Sequence, residues 1–500
     1  VVAEFKTRDE LEAALDRTQG RLLEDPDNLD LQSARADLLA ALGRTNDAKA
    51  AYMAVLSRDP THFATLNNFG ALLYDTDFRT AARTVFAQAV HYHPDQATAH
   101  VNLAKLLMYN HELGLARVHY EKALALDPDH AVAHQQLSEL LRESGDVDGM
   151  RRHRRLGFGA KPSTRFAYMG RGEPLPLLVL TSTPAGDLGW RKLVDDTVFA
   201  STSVVAEFYD PGRPLPPHRL IFNAIGDADL SASDLNAAVA LVARSDAPMI
   251  NAPTRVLATA RAANAERLGR LEGVTAPRIQ SMSREALTKA GAAERLAAQG
   301  FSFPLLLRSP GFHTGRHFRR VDGPDVLAVE AEALPGRDLM VMDYLDCTGA
   351  DGFVRKFRVM MIDGRLYPLH MAASLNWKVH YFTAAMRDDA RLQGEEARFL
   401  SDMAGFLGPR AMKALHAIQA MLALDYAGVD FGLTAAGELM LFEANAVMTM
   451  VPPDASPQWD YRRAPIAKAI AAARAMVVAR AQQARPTDEI LGVNSEISDD

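Results

Sequence analysis

Residues 429–450 read VDFGLTAAGELMLFEANAVMTM, and three of them carry side-chain oxygens at a spacing that could hold a hard cation. Glu443 and Asn445 lie two apart at the end of an apolar run, so on a strand they point the same way. The turn TAAGE folds the chain back and brings Asp430 to within about a residue of them. Asp430, Glu443 and Asn445 are thus an oxygen set of the kind magnesium takes, where one or two carboxylates are completed by other oxygens. A hairpin whose polar residues only face water would carry the same letters. Lys356 and Arg358 alternate onto one face of KFRVMMIDGRLYP, a hairpin about Asp363-Gly364, the favoured two-residue turn. Further upstream, FPLLLR ends in Arg308 and runs into SPGFHTG, where Gly311 and Gly315 bracket a loop.

These residues need strands to hold them, and the chain from about 170 onward alternates strand and helix patterns. PLPLLVLTS has the length of a buried strand, followed by a turn-prone TPAGDLG and a helical WRKLVDDTVF. TSVVAEFYD, RLIFNAIG and PMIN are further strands, and SASDLNAAVALVARSDA is a helix capped near Ser231 or Ser233. Such an order predicts an α/β unit with a parallel sheet, whose strand C-termini are where ligands bind. FNAIGDAD is one such loop, which makes Asn223 and Asp227 substrate-facing candidates; a plain turn would look the same. Helical spacing covers 254–271, and about 395–425 with a break at Gly408-Pro409. An Ala-rich helix spans about 463–484, and an acidic, weakly apolar tail from about 486 has a disordered composition.

Composition narrows the classes. With 500 residues the chain exceeds a single core, and 48% hydrophobic with 23% charged content is ordinary for a globular protein. A net charge of -7 gives no global footprint for nucleic acid or an anionic membrane. The single cysteine, Cys347, fits a reducing compartment. No apolar run nears the ~18 residues of a bilayer span, and VVAEFKTRDELE lacks the regions of a signal peptide. The expectation is a cytoplasmic protein with neither nucleic-acid nor membrane partners.

The first part of the chain repeats. Pro26, Pro60, Pro94, Pro128 and Pro162 recur every 34 residues. In the same register fall Ala48, Ala82 and Ala116, then Tyr52, Phe86 and Tyr120, and Leu39, Leu73, Leu107 and Leu141. Small residues let paired helices approach, large ones fill the gap, and proline ends the second helix. HFATLNNFGALLYDTDFRTAARTVFAQAVHYHPDQ resembles the tetratricopeptide repeat. Three full repeats are expected over about 29–130, a degenerate fourth to 164, and a partial helix before Pro26. Asn68, Asn102 and Gln136 share one repeat position, and stacked amides there could bond the backbone of an extended peptide or protein partner. They could equally be solvated, or the array could dock on the protein's own second half. The basic MRRHRRLGFGAKPSTR that closes the array reads as a solvated helix end and linker.

The order of strand with basic residue and glycine loop, then MVMDYLD, then the Lys356/Arg358 hairpin, then DF…FEAN, resembles the ATP-grasp superfamily. The likeness covers about 172–460 and is nearest to the RimK-like and D-alanine–D-alanine ligase branch. It implies a unit at 172–252 preceding an ATP-grasp domain at 253–460, a C-terminal helix at 461–485, and ATP and Mg2+ as cofactors. The fold class expected is therefore multidomain, an all-α solenoid followed by an α+β/α/β ATP-grasp fold.

Site roles follow from the resemblance. Arg308 stands where the family usually has a lysine on the nucleotide phosphates, keeping the charge as a planar fork. His313 or backbone amides of the glycine loop would close on the phosphates. Asp343, Tyr344 and Leu345 would meet adenine and Asp346 the ribose, while Arg261, or Arg267 six residues on, adds a basic contact. Asp430, Glu443 and Asn445 become the metal ligands, with Arg358 and Lys356 catalytic beside the transferring phosphoryl group. His370, Ser374, Asn376, Lys378 and His380 would reach over the acceptor, a solvated loop being the alternative. The activity implied is a carboxylate–amine ligase working through an acyl phosphate. The alternatives are a kinase or phosphotransferase on the same fold, or a repeat scaffold with an inactive nucleotide-binding half.

Overall fold

The 34-residue ruler fixes where helices begin and end. A computed structural model of the chain describes residues 7–183, 186–312, 315–379, 386–454 and 456–483. The chain forms two compact units, residues 1–176 with 196–203, and residues 177–195 with 204–500.

In the first unit, among the described residues, nine helices follow one another. They are α1 (Arg8–Glu24), α2 (Leu29–Ala41), α3 (Thr45–Arg58), α4 (Phe63–Asp75), α5 (Arg79–Tyr92), α6 (Ala97–Tyr109), α7 (Leu113–Leu126), α8 (Ala131–Ser144) and α9 (Val147–Phe158). Asn28, His62 and His130, spaced at multiples of 34, cap α2, α4 and α8 by accepting from a backbone N–H three residues on. Within each pair Ala48, Ala82 and Ala116 are wholly buried and Tyr52, Phe86 and Tyr120 fill the space beside them. Gly70 is required by this packing, because a Cβ there would sit 2.4 Å from the Phe86 ring. Two expectations change. The segment before Pro26 is a full helix of 17 residues with its own capping box at Thr7. The fourth repeat is a complete pair, in which Gly157 lets α9 close on α8 near Gln135.

The second unit opens with a parallel arrangement. β2 (Leu175–Thr181) pairs over Leu177–Leu180 with β4 (Leu220–Asn223), and β4 pairs with β5 (Met249–Ile250). Of the remaining early strands, β1 (Ser163–Arg165) and most of β3 (Phe199–Val205) belong to the first unit. The expected helix at WRKLVDDTVF is only one turn, Trp190–Lys192, and β3 begins at Phe199. Later come β6 (Val274–Thr275), β7 (Ile279–Ser283), β8 (Leu305–Arg308), β9 (Phe318–Val321) and β10 (Asp338–Asp343). β11 (Val354–Ile362), β12 (Arg365–Ser374), β13 (Tyr426–Leu433) and β14 (Leu439–Asn445) complete the strands. One antiparallel sheet runs β7-β10-β8-β9, and a second runs β12-β11-β13-β14 with β6 parallel at its edge.

Period-two alternation gives the second sheet two different faces. Phe357, Val359, Val429, Phe431 and Leu441 share one apolar core with Phe399, Leu415 and Ile418, which lie on two helices, Ala390–Ser401 and Met403–Leu422. Phe357 lies 5.1 Å from Phe399 and 5.5 Å from Phe431, ring centre to ring centre. The opposite face therefore receives Lys356, Arg358, Asp430 and Glu443. The helical segment expected as continuous over 254–271 is two helices, Pro253–Leu257 and Arg261–Leu268. Asn251 bridges the boundary expected at 252, exchanging two side-chain hydrogen bonds with the backbone of Tyr426. The C-terminal helix, Asp460–Gln483, is tied down by Arg462, which donates to the fully buried Glu396. No helix among the described residues is long and apolar enough to cross a membrane.

Candidate functional site

Register places the charged residues in one row. Across the second sheet His370 is opposite Arg358, Arg358 opposite Asp430, and Asp430 opposite Glu443. A bulge at Phe442 makes the last step possible. Leu441 pairs with the core-facing Phe431, and plain alternation through Phe442 would carry Glu443, two residues on, into the core. The extra residue turns Glu443 onto the face of Asp430.

Asp430 is buried and accepts from Lys356 Nζ at 3.0 Å and from Arg358 Nε and Nη2 at 2.6 and 2.8 Å. Burial alone would raise its carboxyl; Arg358 and Lys356 override that and hold it well below the usual carboxylate range. Burial likewise opposes the Arg358 guanidinium, but the Asp430 carboxylate reverses the sign and its pKa is raised. Glu443 Oε1 accepts from Arg261 and, at 2.8 Å, from Asn445 Nδ2, while Asn445 Oδ1 accepts from Val447 N–H. Arg261 starts its helix, and its backbone N–H meets the Asp229 carboxylate at 3.1 Å. Arg308 donates to the Phe312 carbonyl; burial, then the charge of Arg261, pulls its pKa down to about 10. His370 is buried, and desolvation followed by the Arg358 charge keeps it far below the usual imidazole value.

Several of these groups line an open cavity formed within the second unit. Arg261, Arg308, Lys356, Asp430 and Glu443 form its charged end. Phe318, Asp343, Tyr344, Leu345 and Trp377 line it as well. Phe318 and Trp377 meet edge to face at 5.3 Å, and Trp377 lies 6.4 Å from Tyr344. Lys378 lines the same space and donates to Gly315 O at 2.7 Å. A smaller cavity shares Arg261 and Glu443 with it and is lined by Asp227, Asp229 and Asn445.

Several expected residues have other work. Asn223 is buried and committed to the fold, donating to Asn251 O and accepting from Ile225 N–H. Asp346 turns back to accept from Thr348 N–H and hydroxyl and is not among the cavity-lining residues; Cys347 lines the cavity instead. The Ser374 hydroxyl accepts from Asn376 N–H, a local turn away from the cavity lining. Asp343 lines the cavity while its carboxylate accepts from Arg278 N–H. His313 and His380 lie outside the described residues. Sequence reasoning missed Phe318 and Trp377, whose only signal was an aromatic residue beside each glycine or polar loop. No group of three His, Cys, Asp or Glu side chains gathers around one point among the described residues.

In the array, two of the three amides expected to face a peptide, Asn68 and Asn102, are linked from repeat to repeat through Asn67. Asn102 Nδ2 donates to Asn67 Oδ1 at 2.6 Å, Asn67 to Asn68 at 3.0 Å, and Asn68 to Asp37 at 2.9 Å. Gln136 occupies the equivalent half-buried position of α8. The ladder stitches successive first helices, and so the amides are at least partly satisfied by the array itself.

Residues 29–62 and 97–130 each match the family model for the tetratricopeptide repeat. The helical array is a tetratricopeptide-repeat array. Among solved structures, MamA 41-end from Desulfovibrio magneticus RS-1 is 23% identical over 29% of this chain and 81% of its own, with a TM-score of 0.25. Pseudomonas aeruginosa pilF is 22% identical over 30% of this chain and 68% of its own, TM-score 0.28. TTC0263, a thermophilic TPR protein of Thermus thermophilus, is 21% identical over 30% of this chain and 84% of its own, TM-score 0.28. No curated protein matches the chain. Tetratricopeptide arrays generally mediate contacts between proteins, so the first unit is an interaction scaffold of that type, followed by a mixed α/β region.

Proposed function

We propose that the second unit is an ATP-grasp ligase of the kind its sequence resembles, joining a carboxylate to an amine at the expense of ATP. One observation carries this reading. Arg261, Arg308 and Lys356 line one cavity with Asp430 and Glu443, Arg358 adds its charge to Asp430 from behind, and Phe318, Tyr344 and Trp377 line the same cavity. That surplus of positive charge suits a polyphosphate, and Phe318, Tyr344 and Trp377 suit a flat base.

The donor set also fits a magnesium ion. Asp430 and Glu443 are opposite each other on adjacent strands, and such an ion needs only one or two carboxylates beside phosphate oxygens. Asp430, Glu443 and Asn445 would hold it, and when bound it supplies charge neutralisation at the phosphates.

The chain's own residues bind and orient the reactants. A carboxylate oxygen attacks the γ-phosphorus, the bond to the ADP oxygen breaks, and an acyl phosphate forms. An amine nitrogen then attacks the acyl carbon, phosphate leaves, and the nitrogen gives up a proton. Arg358 and Lys356 stabilise charge on the transferring phosphoryl oxygens, and Arg308 and Arg261 hold the phosphates in line. The tetratricopeptide array would hold a peptide or protein that supplies one of the reacting groups.

ADP release by the full chain, measured with candidate carboxylates and amines and followed by mass spectrometry, tests the reading. The expected result is ADP that depends on both substrates, an amide product, and a loss on the order of 100-fold in Glu443→Gln. ADP formation unchanged by Glu443→Gln, or no nucleotide binding at all, would overturn it.

A further inference from the structure

Four histidines of the array obey the 34-residue ruler in pairs. His100 and His134 occupy one position of α6 and α8, and His119 and His153 one position of α7 and α9. At the same two positions the preceding repeat has Leu66 and Val85, an apolar pair.

Each pair joins the two helices of its repeat through Nδ1 atoms. His100 Nδ1 lies 2.9 Å from His119 Nδ1, and His134 Nδ1 lies 2.7 Å from His153 Nδ1. His100 Nε2 also contacts Pro94 O at 3.0 Å, and His134 Nε2 contacts Pro128 O at 2.8 Å. A carbonyl only accepts, so the inner histidine must carry its proton on Nε2, and its neutral Nδ1 must accept. The outer histidine, His119 or His153, is then the donor through Nδ1–H. The outer histidine can take one further proton on Nε2 without disturbing this N–H···N bond, but a second, on the inner Nδ1, would set two N–H groups against each other at under 3 Å. His100 and His134 are buried, so water cannot replace the lost bond without opening the repeat.

We propose that these two histidine pairs form a pH-sensitive latch that holds the last two repeats closed at neutral pH and releases them on acidification, leaving the histidine-free α2–α3 pair intact. The charges facing the pairs come from several elements. Lys122 on α7 opposes protonation of His100 and His119. Around His153, Arg152 opposes it, whereas Asp146 and Glu121 favour it. Burial lowers the pKa of His100, His119 and His153, so the folded array binds fewer protons than the unfolded chain. The stabilisation is accordingly present above the unfolded value of about 6.5 and is lost as pH falls below it.

Hydrogen–deuterium exchange of the full chain, corrected for intrinsic rates, tests the latch between about pH 7.5 and pH 5.5. Protection of peptides from α6–α9 is expected to fall about tenfold or more while α2 and α3 peptides, which hold no histidine, stay constant. The double variant His119→Gln/His153→Gln keeps a side-chain donor without a titrating ring, and should flatten the α6–α9 response. Equal pH dependence along the array, or an unchanged response in the double variant, would overturn the proposal. Should the variant not fold, 15N-histidine NMR of the wild-type chain decides the matter. Nδ1–H tautomers for His119 and His153, with suppressed titration, support the latch, and four independent titrations near pH 6.5 refute it.

Discussion

Replacing Asp430 by Asn tests the charge row most directly. The substitution keeps shape and removes the single negative charge that takes three charge-assisted bonds from Lys356 and Arg358. An amide offers one acceptor oxygen, and its NH2 would face one of the cations. Removing one member of a buried pair costs about 3–5 kcal/mol. Side-chain exposures of 15% for Lys356 and 21% for Arg358 let water take up part of the charge, which lowers the expectation to about 2–3 kcal/mol. Exchange protection of β11 and β13 peptides in rising urea measures this locally. The gap between wild type and variant should be constant above about pH 5 and close below the unfolded carboxyl value of about 3.9, because the folded carboxyl is held well below that value. If the cations face a polyphosphate site, inorganic tripolyphosphate should restore the variant more than it stabilises wild type, since ligand at about 100 times its Kd contributes about 2.7 kcal/mol. An unchanged urea response, or equal stabilisation of both proteins by tripolyphosphate, would refute the reasoning.

Three further outcomes follow from buried groups in the same unit. Asp187 receives Ser182 N–H and hydroxyl, yet burial lifts its carboxyl to about 6, so stability attributable to it falls as pH rises from about 4 through 6. Asp187→Asn should therefore raise the unfolding free energy measured in urea at pH 7, by up to about 3 kcal/mol, and remove that pH slope; a lower value would contradict it. Gly226→Ala would place a Cβ 2.8 Å from backbone atoms of Ala446 and Val447, and should cost about 1–3 kcal/mol by urea unfolding. Glu396→Ala strands Arg462, which is 5% exposed, and should cost about 3–5 kcal/mol, followed by the fluorescence of Trp459, whose ring lies 3.9 Å from Arg462. A change under about 1 kcal/mol would mean that helix docking there does not depend on the pair.

Legibility differed with the kind of information each residue carries. The repeats were plain because one 34-residue period sets caps, small residues and prolines together, and Asp363-Gly364 was plain because both residues adopt positive φ in a two-residue turn. The charged row was legible through alternation within single strands. The partners of Asn68, Asn102 and Asn223 were not, because an amide facing a ligand and an amide facing the next helix or loop have the same letter. Asp346 shows the same ambiguity, since an Asp-x-Thr turn satisfies it locally. The break before Arg261 was hidden because Ala258, Thr259 and Ala260 keep helical spacing, and only the distant Asp229 carboxylate shows why a helix should start anew there.

Phe442 shows how a correct expectation can rest on an incomplete reason. Glu443 and Asn445 do share a face, as two-residue spacing requires, but spacing alone assigns them the face of Leu441, which is the core. In the structure the bulge at Phe442 separates the apolar register of Leu439 and Leu441 from the polar register of Glu443 and Asn445. Deleting Phe442 should consequently remove a wall of the cavity without turning the acid. Glu443 would then follow Leu441 directly, and plain alternation would keep it opposite Asp430, within reach of Arg261 and away from the Phe357, Phe399 and Phe431 cluster. Both flanking pairs become consecutive steps of a regular ladder, so exchange protection of β14 and of the Arg261 helix should be retained. Loss of protection confined to β14 and that helix would show that Phe442 does more than carry the change of face.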